Sequence, residues 1–298
     1  MPDTSDATPR KSLRIRPWGE IADTLDGILD RVVSRRVRID ESSRLRQYVT
    51  LMREEGAAQP AQERLEQMSK VRSDADEIVS AVEHLSMPPE VDGWETLFKR
   101  IQGGPLTTTG AAHDDARAIQ VELLAAGMLR SAGARVMFEE PDVRAEYLGR
   151  VVSLAAKRPV SFKNLEKLVK NGRDQLVKAG GTGVLFLDLA ELAPEHSQVR
   201  TVADHNAVTN DIAPLLLKSL DRLGAKIPTW VQGRNARPNN VLAYVGLLRA
   251  RFVIPTASGP HYGTMRRLRA MQASDVIVPG WLRNLINATA QVNQEPAS

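Results

Sequence analysis

The sequence predicts an α/β fold preceded by an α-helical N-terminal region, and three observations carry that expectation. Apolar residues recur at three- and four-residue spacing in the stretch from 18 to about 104. After the Gly- and Thr-rich segment GGPLTTTGAAH (103 to 113) the texture changes to alternating helices and strands. Within that second part GVLFLDL (183 to 189) is a continuous apolar run bounded by glycines, as a buried central strand is. With 298 residues the chain has room for two domains or for one with a large extension. The expected division is a disordered tail at 1–17, a helical region at 18–104, an α/β domain at 113–290 and a tail at 291–298.

Element by element, residues 1 to 17 are polar, with Pro2, Pro9 and Pro17 and no apolar period. Ile21, Leu25, Ile28, Leu29 and Val32 form one buried stripe of a first helix. A second helix is expected from Ser42 to Glu55 and a long polar one from about 60 to 85. Pro88 and Pro89 end the latter, and a short helix follows from Trp94 to Ile101. Asp114 and Asp115 suit the N-terminus of a helix that carries Ile119, Leu123, Met128 and Leu129 and stops near Gly133. ARVMF (134 to 138), VRAEYL and VVSLAA read as strands, the last two turning around Gly149. Ser161, after Pro159, is placed to cap a helix reaching Gly180. A helix near 200 to 224, a strand at PTWVQ, a β-rich segment at VLAYVGLLRARFVI and a final helix at WLRNLINATA complete the order.

Composition narrows the function classes. No apolar window of about 18 residues exists, so no membrane span is expected. The start lacks an apolar segment of the secretory type. The absence of cysteine excludes disulfides and thiolate chemistry and fits a reducing, cytoplasmic setting. The formal charge of +4 is compatible with a polyanionic partner, and two local clusters, DRVVSRRVR and MRRLR, sharpen it. Arg35, Arg36, Arg38, Arg266, Arg267 and Arg269 are the candidate phosphate contacts. The five histidines show no metal-ligand spacing, and GGTG at 180 to 183 lacks a Walker lysine.

The segment from Glu139 to Gln175 carries the chemistry. With Gly149 and Arg150 as turn residues, Asp142 lies opposite Lys157; with a turn one residue earlier it faces Ala155. Directly opposed residues, and residues two apart, share a face of the sheet. Under either register Asp142, Ala155 and Lys157 therefore converge. Phosphodiester hydrolysis uses a divalent cation to screen the nonbridging oxygens and acidify a water. Magnesium needs only one or two carboxylates with waters and phosphate oxygens. A lysine beside them can orient the water or stabilise developing charge.

On Pro141-Asp142, Ala155-Ala156-Lys157, the following Arg158-Pro159, the helix LEKLVKNGRDQL and the strand GVLFLDL, residues 114 to 192 resemble the PD-(D/E)xK nuclease superfamily. The resemblance covers about a quarter of the chain. It implies a restriction-endonuclease-like core, a central mixed β-sheet flanked by helices, and a magnesium- or manganese-dependent endonuclease acting on DNA rather than RNA. It further implies site roles for Asp142 as metal ligand, Lys157 as catalytic lysine, Glu122 as the acidic residue of the preceding helix, and Gln175 as a site-facing glutamine. Arg158 joins the expected nucleic-acid contacts, and the N-terminal helices would supply a dimer or protein-partner surface.

Position 155 departs from the pattern, because alanine stands where the second acidic residue belongs. Three explanations compete: an altered enzyme, since SLEAKRP would restore the pattern; a carboxylate moved to the next helix, with Glu166 as metal ligand; or a pseudonuclease that binds nucleic acid without cutting it. Ordinary roles stand beside each functional one. Asp142 could make an Asx turn, Glu122 could pair with Arg117 or Arg130, Glu166 with Lys163 or Lys170, and Asp188 could cap a loop.

Overall fold

A computed structural model describes residues 15–58, 62–85, 93–106, 115–196, 198–232, 240–257, 259–273 and 277–292. Its centre is a seven-stranded mixed sheet. Strands β1 (Arg135–Met137), β2 (Val143–Tyr147) and β3 (Arg150–Lys157) form an antiparallel meander. Helix α6 (Phe162–Ala179) then crosses over to β4 (Thr182–Asp188), which runs parallel to β3. The long β6 (Val241–Ile254) lies parallel to β4 along its first half and to the short β5 (Arg200–Thr201) at its end. On its other edge β6 pairs antiparallel with β7 (His261–Gln272).

Each face of the sheet has its own core. One face packs α5 (Asp115–Ser131) and α10 (Gly280–Val292) against Val143, Leu154, Val184 and Phe186. The same cluster continues into α1 (Trp18–Ser34), α2 (Arg44–Ala58), α3 (Gln62–Leu85) and α4 (Trp94–Ile101). The helical N-terminal region and the sheet thus share one apolar core. The other face packs α6, α8 (Ala213–Gly224) and α9 (Ile227–Gln232) against Ala155, Leu185 and Leu187. A short α7 (His205–Ala207) and a π-helical turn lead into α8.

Several expectations change. Residues 1–14 lie outside the described residues, but the end of the supposed tail is ordered: Arg16 is buried and ion-paired with Asp76 and Glu83. PTWVQ is helical, not a strand, because Ile227 and Val231 are buried one helical turn apart. Helix α3 is polar in sequence yet central in space, with Arg72, Ser73, Asp74 and Glu77 all buried. Strand β7 was not foreseen; its arginines read as a charge cluster and concealed the burial of Gly263 and Met265 on one face and of Leu268 on the other. Among the described residues no helix is long and apolar enough to cross a membrane.

Candidate functional site

The hairpin takes the register in which Val143 faces Leu154 and Tyr147 faces Arg150, so Leu148 and Gly149 are the turn. Both have positive φ, 51° and 69°, as a two-residue turn that follows the strand twist requires. Continuing that register by one residue sets Asp142 opposite Ala155. The Asp142 Oδ2 accepts from the Ala156 N–H at 2.7 Å and from the Lys157 ammonium at 2.7 Å. The two side chains are 11% and 14% exposed, so the pair sits in a notch and not on an open surface. Burial raises the Asp142 pKa above the usual carboxylate range, and Lys157 opposes this.

Glu122 reaches the same place from α5. Burial pushes its pKa up to about 8, the Asp142 charge adds to the rise, and Lys157 and Arg100 counter it. Glu122 therefore carries a proton at neutral pH, while the neighbouring Asp142 holds its lysine. Both carboxyls are thus held above their ordinary values chiefly by burial, with Asp142 adding to the rise at Glu122 and Glu140 to the rise at Asp142. Among the described residues no group of three or more His, Asp or Glu gathers as a metal site. Asp142 and Glu122 are the acidic side chains brought together at the notch.

Position 155 is closed. Ala155 is fully buried beneath α6, beside Leu165, Val169 and Leu185. The helix comes this close because residue 172 is glycine: a Cβ there would stand 2.5 Å from a Leu185 methyl and 3.6 Å from both the Ala155 Cβ and the Lys157 Cε. Gln175 lies one turn further along α6, with its Oε1 buried and without a hydrogen-bond partner. Glu166 is bound to Lys170 at 2.5 Å on the outer flank of the helix, as an ordinary i,i+4 pair.

The expected cation set divides. Arg35, Arg36 and Arg38 are exposed at the end of α1. Arg158 is not at the surface. It is buried, donating to Asp188 at 2.7 Å and to Glu77 at 3.2 Å, which corrects its assignment as a phosphate contact. Neighbouring residues of a strand face opposite ways. Lys157 therefore looks toward α6 while Arg158 looks toward α3. The same alternation splits MRRLR: Arg266 pairs with Asp76 at 2.9 Å, whereas Arg267 and Arg269 lie on the other face, Arg269 pairing with Asp221 at 2.9 Å.

Two features escaped the sequence reading. Exposed Lys163, Lys167 and Lys178 on α6 form a basic surface that starts a few residues beyond Lys157, and their spacing along the helix was a usable signal. A buried ionic network joins Asp74 and Glu77 of α3 to Arg158, Asp188 and Arg249 at the strand ends. Asp188 does cap its loop, accepting from Ala190 N–H at 3.1 Å, and is also an ion-pair partner in this network. No local pattern marks that network, since its members lie far apart in sequence. No family model, curated protein or solved structure matches the chain.

Proposed function

We propose that this protein acts on nucleic acid, DNA in the first place, through the Asp142–Lys157–Glu122 notch, as a metal-dependent phosphodiesterase weakened by alanine at 155. The reading rests on the Lys157 ammonium lying 2.7 Å from Asp142 where the hairpin ends. The order helix, three-strand meander, crossover helix and parallel strand, α5 to β4, agrees with a restriction-endonuclease-like core. Asp142 and Glu122 would hold magnesium or manganese. When bound, the metal supplies charge neutralisation at the phosphate and a more acidic water. Lys157 holds Asp142 when the notch is empty. With Asp142 otherwise engaged, its ammonium is placed to orient water or meet the developing negative charge. The exposed lysines of α6 would track the phosphate backbone, a contact that carries no sequence information.

A second reading, binding without cleavage, is favoured by one observation: α6 roofs position 155 and leaves no opening there for a ligand. Nicking of supercoiled plasmid with magnesium or manganese separates the two. Slow metal-dependent nicking is expected, falling to background in Lys157→Ala and Asp142→Asn. Ala155→Glu would bury a carboxylate in the closed apolar space under α6 and is expected to destabilise the fold instead of raising activity. Chelator-insensitive DNA binding with no nicking in any variant would establish the binding reading instead. Affinity should fall steeply with salt in either case, and a flat salt response would remove the nucleic-acid assignment.

A further inference from the structure

We propose that the cavity between α3, the 190–192 turn and β6 is a binding site for a phosphate-type oxyanion, separate from the Asp142 notch. It lies beyond the carboxyl end of β4, where open α/β sheets receive ligands. Its volume is about 60 Å³. A single water needs about 10–15 Å³ on this kind of measure, so a group of several heavy atoms fits.

The lining sets four cationic side chains, Lys70, Arg117, Arg249 and Arg251, against two acidic ones, Asp74 and Glu191. The two acids do not balance the four cations locally. Asp74 is already engaged by Arg117 at 2.8 Å and by the Tyr48 hydroxyl at 3.1 Å, and Glu191 is exposed. Arg249 is held by Glu77 and Asp188 behind the cavity. Arg251 is different. It is buried, and its Nη1 donates to the Glu66 carbonyl and the Ser69 hydroxyl, both at 3.1 Å, neither of which carries a charge. Burial lowers its pKa, and the more distant charges of Asp74, Glu191 and Glu66 only partly offset this. Among the described residues Lys70 has no carboxylate partner.

Two further polar atoms belong to cavity-lining residues and have nothing to bond. Ser73 Oγ and His196 Nδ1 are buried without a hydrogen-bond partner, on residues 3% and 4% exposed. Buried polar groups are rarely left unpaired, and each exception needs an account. The His196 Nε2 is 2.9 Å from Ser219 Oγ, whose single proton has a second acceptor in Glu195 Oε1 at 3.4 Å; the ring proton is on Nδ1, free for an anion, when the hydroxyl turns to the closer Nε2. A tetrahedral oxyanion would accept from Ser73, His196, Arg251 and Lys70 together. That satisfies both orphaned atoms and supplies the missing negative charge.

The ligand is a phosphoryl group, borne either by a free small molecule or by the end of an oligonucleotide. Titration calorimetry of the full chain with inorganic phosphate, against chloride at matched ionic strength, should show saturable binding that weakens about tenfold in Lys70→Gln and in Ser73→Ala. Thermal melts of both variants should match the unaltered chain without phosphate, so that lost binding is not lost folding. A nucleoside monophosphate and paired 5′-phosphorylated and 5′-hydroxyl oligonucleotides identify the source. Equal affinity for phosphate and nucleotide assigns a free ligand, and tighter binding of the phosphorylated oligonucleotide alone assigns a terminal phosphate. Heats indistinguishable from chloride, or binding unchanged in both variants, would overturn the site.

Discussion

Glu122 owes its chemistry to neighbours that its own helix does not supply. Burial and Asp142 hold its pKa near 8, against about 4.5 for a free side chain. The unfolded chain releases this proton at lower pH than the folded one does. Its contribution to stability is therefore fully present below about pH 4.5 and is lost as the pH rises to about 8. Glu122→Gln should flatten the pH dependence of chemical denaturation across that window and leave the variant the more stable protein at pH 8. A denaturation midpoint with an unchanged pH profile in the variant would show that Glu122 titrates normally. Asp142 and Lys157 were visible in the sequence because strand alternation is a local rule, whereas Glu122 was reached only through the family resemblance. The closure of position 155 was not visible, because it depends on Gly172, whose missing side chain lets α6 descend onto Ala155 from the next element. Arg158 was misassigned for a related reason: a surface arginine and a buried one look alike until the carboxylates of Glu77 and Asp188 are in place.

At the scale of elements, the β2–β3 hairpin positions the whole notch, and its turn is chemically imperfect. Leu148 has a φ of 51° and is 73% exposed, so it bears the left-handed strain without burying its side chain in return. An L-residue with a Cβ loses roughly 1–2 kcal/mol in this conformation, whereas asparagine tolerates it. Leu148→Asn should therefore stabilise the protein by about 1 kcal/mol, measured as a higher urea midpoint at unchanged slope. Destabilisation would mean that the register does not place Leu148 in the turn. Local patterning identified β4 and β6 as apolar, β-rich runs and α5 and α6 by apolar residues at helical spacing between capping signals. It missed β7, where three arginines stand among the buried residues of both faces, and α9, where two apolar residues one turn apart sit among β-formers. It left the hairpin register open between two choices, since both keep Asp142 and Lys157 on one face and only the turn distinguishes them.

For the molecule as a whole, α3 is the link between the N-terminal helices and the sheet. It crosses α5 so closely that a Cβ on Gly127 would meet the Ala81 Cα at 2.8 Å. From that position it turns Asp74 and Glu77 toward the strand ends. Burial opposes ionisation of Asp74, but Arg117, Arg158 and Arg249 outweigh it and keep the carboxyl below its ordinary range. Glu77 is fully buried between Arg158 and Arg249. A buried pair that loses one partner leaves an uncompensated charge, which costs about 3–5 kcal/mol. Glu77→Ala should lose that much, and where the loss registers tests the architecture. Trp94 reports on the helical region and Trp230 on the far face of the sheet. Because one apolar cluster runs from α1 to β6, the two regions should unfold as one unit, with the substitution lowering both midpoints together. Single-tryptophan variants followed by fluorescence make the comparison. If Trp94 alone shifted while Trp230 kept its midpoint, the helices would be a separate domain docked on the sheet, and the ionic network would be an interface between domains instead of part of a common core.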